Sequence, residues 1–122
     1  MEINTCTVSG NLCRDAELRV TGKGTQMVTF TVACNDRRQN ASGQWEDYPN
    51  YFDVTAFGKR AERQMAVLKK GVHVVVFGKL SYTKKTDKDG KNRVYIGITA
   101  HTIIAPKVPA DDSQLFADDL PF

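Results

Sequence analysis

In the stretch MVTFTVACN, Val28, Phe30, Val32 and Cys34 fall on one side of an extended chain, with Thr29, Thr31 and Ala33 on the other. Alternation of this kind, rich in β-branched residues, is the pattern of a strand with one face in a core and one in solvent. The period of two returns in YFDVTAFG, where Phe52, Val54 and Ala56 alternate with Tyr51, Asp53, Thr55 and Phe57. INTCTVSGNL reads as a weaker strand ending near Gly10, and AELRVTG carries the pattern through Leu18 and Val20 into a turn around TGKGT. VHVVVFGKLSYTKK and RVYIGITAHTII complete five major strand regions. Strands patterned this way must bury their apolar faces against one another. The 122 residues are enough for one domain with a real core.

One segment breaks the rhythm. In KRAERQMAVLKKG, Ala61, Met65 and Leu68 are spaced as one stripe of an amphipathic helix, with Lys69 and Lys70 in the last turn and Gly71 as its stop. Polar, turn-rich gaps separate the strands, and Asp89-Gly90 marks a hairpin turn. Three strand regions, a helix and two more strand regions predict a five-stranded Greek-key barrel of the OB-fold type over residues 1–106. A linker then spans 107–117, ahead of an acidic tip at 118–122.

Several function classes drop out. No apolar run approaches the ~18–20 residues of a membrane span, and the N-terminus lacks a basic, then apolar, secretory pattern, so a cytoplasmic location is expected. Cys6, Cys13 and Cys34 are odd in number and widely spaced, with no C-x-x-C pair, which argues against a disulfide framework or a zinc site. Sequence signatures of metalloproteases, serine hydrolases and P-loop nucleotide binders are missing. Asp87 and Asp89 sit in a lysine-rich turn, where turn formation is the simpler role. The expectation is a non-enzymatic protein without metal or cofactor.

Charge is distributed unevenly. Residues 1–108 carry all 17 Lys and Arg against 10 Asp and Glu, net +7, whereas 109–122 carry four Asp and no basic residue, net −4. A basic body suits a polyanion. Binding single-stranded nucleic acid requires neutralised phosphates and flat side chains for the bases. Both kinds are interleaved here: Arg37 and Arg38 beside the loop of Trp45 and Tyr48, Tyr51 and Phe57 at one strand parity, then Lys59, and Tyr82 before Lys84 and Lys85.

GNLCRDAELRVTGKGTQMVTFTVA resembles the segment near the start of bacterial single-stranded DNA-binding proteins, G-(N/R)-L-x-x-D-(P)-E-x-R-x-x-x-x-G. FGKRAERQMAVLKKG is similar to their F/W-G-K-x-A-E-x-x-x-x-x-L-x-K-G block, TDKDGKNR to their hairpin, and DDLPF to their acidic terminal signature. The resemblance implies an OB-fold that assembles as a homotetramer and wraps single-stranded DNA without sequence specificity. It also implies that replication, recombination and repair proteins are recruited through the tip, in the cytoplasm of a bacterium or under a phage or plasmid gene.

Carried over by position, the stacking aromatics are Tyr51 and Phe57, and the backbone-contacting lysines are Lys59, Lys70 and Lys84. The docking tip is Asp118, Asp119, Leu120, Pro121 and Phe122. The chain departs from the family pattern at Arg37/Arg38 and Lys85, where aromatics are usual, leaving Trp45 and Tyr82 as candidates to take their place. Asp53 stands where some relatives carry a basic residue, and Phe52 where some carry a polar residue important to subunit association.

Overall fold

The alternating segments are strands in the computed structural model, which describes residues 1–107. In chain order they are β1 (Cys6–Leu12), β2 (Glu17–Val20), β3 (Gln26–Gln39), β4 (Trp45–Phe57), α1 (Lys59–Gln64), β5 (His73–Thr86) and β6 (Asn92–Ile104). Beyond Lys107 the linker and the tip, Asp118 to Phe122, lie outside the described residues.

Five strands close on themselves. β1 lies antiparallel to β5, β5 to β6, and β6 runs parallel to β4 through Val54–Ile98 and Ala56–Ala100. β4 is antiparallel to β3, and β3 returns to the end of β1 at Asn11–Ala33 and Leu12–Val32. This is the OB-type barrel that the strand pattern predicts, with α1 between β4 and β5. The AELRVTG segment contributes only the four residues of β2, which pair with β3 where β1 has turned away.

Within the barrel, over residues 28–32, 54–56 and 74–78, the even-numbered residues of β3, β4 and β5 face inward. Val28, Phe30, Val32, Val54, Ala56, Val74 and Val76 form the core with Leu12, Leu68, Ile98 and Ile103. Each fully buried Val or Leu contributes about 1.5–3 kcal/mol relative to an exposed one. Phe52, paired with Val32, is half-buried against this core. The three cysteines are half-buried and unbridged, and no described helix is long and apolar enough to cross a membrane.

The helix is shorter than its apolar stripe predicts. α1 ends at Gln64, and the amides of Met65, Ala66 and Val67 donate three residues back, to Glu62, Arg63 and Gln64. Tertiary bonds pull the chain out of the helix. The Leu68 carbonyl accepts from the Ala16 amide at 2.9 Å, and the Gly71 amide donates to the Leu12 carbonyl at 2.9 Å. Lys69 and Lys70 therefore follow the helix instead of capping it, and Gly71 (φ 87°) turns a loop. Ala61 and Leu68 still reach the core.

Three hairpins share one turn chemistry. Thr21, Asn40 and Asp87 each donate their backbone amide to the carbonyl four residues on. The glycine three residues along, Gly24, Gly43 or Gly90, sits at φ 84°, 82° or 78°, a region other residues rarely adopt. The first residue's side-chain oxygen then accepts amides within the loop. At Asp87 the Arg93 guanidinium, 2.7 Å away, does most to hold the carboxylate below the usual aspartate range, with help from the Lys91 amide. Asp87 thus anchors the turn that the DG signal marks.

Candidate nucleic-acid interface

Because β4 buries Val54 and Ala56, the alternate residues Tyr51, Asp53, Thr55 and Phe57 must face outward. Tyr51 is 64% exposed and Phe57 50%. Six residues of strand separate them by about 20 Å. Between them, Asp53 and Thr55 border a shallow depression of about 250 Å³ that Arg14, Glu17, Arg19 and Thr31 complete. Both of its acids are engaged: Glu17 pairs with Arg19 at 2.8 Å, and Asp53 accepts a hydrogen bond from the Thr31 hydroxyl at 2.8 Å. Asp53 is thus held by a neighbour and sits in a mixed environment with two arginines.

Beyond the barrel rim β3–β4 and β5–β6 continue as two-stranded arms, whose adjacent residues point to opposite faces. This separates the neighbours that look like pairs in the sequence. On the first arm Arg37 shares the parity of Tyr51 and Trp45, and its Nε lies 3.9 Å from Asp47. Arg38 is on the other face. Trp45 stands at the arm's end, opposite Gln39 and 61% exposed.

On the second arm Lys85 is in register with Arg93, and Thr83 with Tyr95. Through Thr99, alongside Thr55, that face is continuous with the outer face of β4. Lys84 and Tyr82 occupy the opposite face, in register with Val94 and Ile96. Tyr95 is exposed beside Lys85 and Arg93, a ring among cations that sequence reasoning missed. The parity of Arg93 and Tyr95 is visible in RVYIG, but only the register brings them to Lys85.

Lys59 opens α1, two residues beyond Phe57, and is exposed. Lys70 lies in the loop after α1, its backbone amide held by Asp15 at 2.9 Å and its side chain in solvent. Among the described residues Lys59, Lys70, Lys84 and Lys85 make no ion pair. The ten sequence-nominated residues therefore do not form one patch. Tyr51, Phe57 and Lys85 share an outer face, whereas Arg38, Tyr82 and Lys84 face the other way on their arms. Rings in water beside unpaired cations can stack bases and neutralise phosphates.

The sequence profile of the Single-strand binding protein family matches residues 3–105. The chain is 43% identical over 98 residues to the single-stranded DNA-binding protein of Borreliella burgdorferi, covering 80% of this chain and 65% of that protein. It thus spans just under two thirds of that relative's length. Against single-stranded DNA-binding protein 2 of Chlorobaculum tepidum the identity is 34%, over 97% of this chain and 83% of that one.

Among solved structures, a Plasmodium falciparum SSB in complex with ssDNA superposes with a TM-score of 0.76 at 15% identity, covering 88% of this chain and 97% of that one. At that identity the likeness speaks to the fold. A deletion variant of the single-stranded DNA-binding protein from Thermus aquaticus gives a TM-score of 0.71 at 28% identity, over 86% of this chain and 51% of that one.

Proposed function

The chain belongs to the single-strand binding protein family, and on that premise we propose that it coats single-stranded DNA without reading its base sequence. It acts as a binding protein and not as an enzyme. The observation that carries the reading is the outer face of β4, where Tyr51 and Phe57 stand in water on a rigid strand. Neither ring serves the core. Unstacked bases offer the flat apolar partners that such rings accept, whatever their identity. The unpaired lysines supply attraction to the backbone, released counterions drive it, and neither term carries sequence information.

A titration with poly-dT, read by fluorescence of the single tryptophan Trp45, tests this reading. Neutralising about four phosphates gives a slope of roughly −3 in log affinity against log salt, or about a fiftyfold loss between 50 and 200 mM. A curve flat in salt would rule out the proposed capture mechanism.

Two further elements complete the proposal. A homotetramer is supported by the exposed strip of Leu80, Tyr82, Val94 and Ile96 along one face of the second arm, 48–67% exposed. Contiguous apolar surface of this kind marks association sites. A solution mass equal to the 13.6 kDa chain alone would reject it.

Recruitment of replication, recombination and repair proteins falls to the tip, whose Leu120 and Phe122 would enter an apolar pocket while Asp118 and Asp119 meet a basic rim. Pro121 limits the ordering entropy of the segment. Deleting Phe122 is expected to abolish capture of such proteins and leave poly-dT affinity unchanged; retained capture would count against the role. The expected place of action is the bacterial cytoplasm, at the nucleoid.

A further inference from the structure

The first arm carries a contact that the stacking face of β4 does not use. Arg38 lies over the Tyr48 ring, its Cζ 3.7 Å from the ring centroid. The acid directly opposite Arg38 in the register is Glu46, and its Oε1 is taken by the Asn40 side-chain amide at 2.8 Å. Arg38 makes no ion pair among the described residues, in contrast to Arg37 and its Asp47. Both members of the pair are exposed, Tyr48 by 46%. No core contact accounts for their arrangement.

A guanidinium spread over a ring is a flat cation held in place. Its planar faces stack on aromatic partners, whereas a lysine ammonium meets a ring only as a point charge, and in nucleic-acid recognition bases stack on arginine planes as they do on rings. The usual cost of ordering a long side chain on binding is also reduced, because the ring has already restricted Arg38.

We propose that Arg38 and Tyr48 form a preassembled base-stacking subsite. A nucleobase of single-stranded DNA stacks on the Arg38 guanidinium, and Tyr48 is the positioning residue that keeps the plane flat. The proposal rests on the reading of the chain as a single-stranded DNA binder. It adds a subsite on the arm face opposite Tyr51.

The test is a double-mutant cycle on poly-dT affinity. Arg38→Ala is expected to weaken binding about tenfold. Arg38→Lys should lose nearly as much while leaving the salt slope at its wild-type value, since charge is kept and the plane is lost. Tyr48→Ala should cost about three- to fivefold in the presence of Arg38 and nothing further in the Arg38→Ala background. Tyr48→Phe should bind as wild type. Both positions are exposed, so melting temperatures should stay unchanged.

If Tyr48→Ala loses the same factor with or without Arg38, or if Arg38→Lys binds as wild type, the composite subsite is wrong although single-strand binding stands. Failure of the wild-type protein to bind poly-dT would remove the functional reading and this inference together.

Discussion

Replacing Tyr51 with alanine is expected to weaken poly-dT binding about tenfold, and replacing Phe57 as well to bring the total loss to about a hundredfold. Stacking of a base on an aromatic side chain is worth about 1–3 kcal/mol, and each ~1.4 kcal/mol is a factor of ten in affinity. The rings are 64% and 50% exposed, so truncation leaves no cavity and the melting temperature should not move. Neither substitution removes a charge, so the salt slope should keep its wild-type value.

Lysine substitutions should divide the other way. Lys85→Ala is expected to flatten the slope by about 0.7 with a smaller loss of affinity at high salt. Comparing affinities and slopes for these variants checks both halves of the mechanism. Wild-type affinity in the Tyr51→Ala, Phe57→Ala double variant would mean that the outer face of β4 is not where bases lie.

A second large effect concerns the barrel's closure. A Cβ on Gly10 would stand 2.1 Å from the Ala33 carbonyl oxygen and 2.9 Å from Val32 Cγ1. Gly10 directly precedes the Asn11–Ala33 pairing that joins β1 to β3. A Cβ on Gly78 would stand 2.1 Å from the Thr99 carbonyl oxygen, at the irregularity where β5 and β6 shift register between Phe77 and Gly78. In each case the obstacle is backbone and cannot rotate away.

Gly10→Ala and Gly78→Ala are each expected to cost about 3 kcal/mol or more. That is a large part of the ~5–15 kcal/mol that holds a domain folded, and lowers the melting temperature by about 12 °C or more. Gly97→Ala is the internal comparison. Its Cβ would meet the Asp53 carbonyl oxygen at 3.2 Å, a contact that a small shift relieves, so its loss should be the smallest of the three. Thermal melts of the three variants give the order; wild-type stability in Gly10→Ala would show that the two strands are free to part at the closure.

Much of this architecture is legible in the residues alone because strand alternation has a fixed period. Val28, Phe30, Val32, Val54 and Ala56 are buried where the alternation puts them, and Tyr51 and Phe57 are outside for the same reason. The DG turn is also readable, since few residues other than glycine accept the backbone angle at Gly90. The end of α1 is not. Met65 and Leu68 continue the helical spacing, yet hydrogen bonds between the 68–72 loop and the chain around Leu12 and Ala16 outweigh local propensity.

The site divides along the same line. That adjacent strand residues such as Lys84 and Lys85 point apart follows from strand geometry; which of them joins the face of Tyr51 depends on how β6 is placed between β4 and β5.

Sequence alone therefore determined the inside and outside of each strand, the turns, the basic body and acidic tail, and the family. These depend on short-range periodicity, backbone sterics and composition. Only the tertiary structure decided which strand edges meet at Asn11 and Ala33, where the helix stops, that Tyr95 stands with Lys85 and Arg93, and that Arg38 lies over Tyr48 while Glu46 is held by Asn40. Those outcomes depend on register and on competition among partners brought together by the fold, and neither is encoded in any one stretch of the chain.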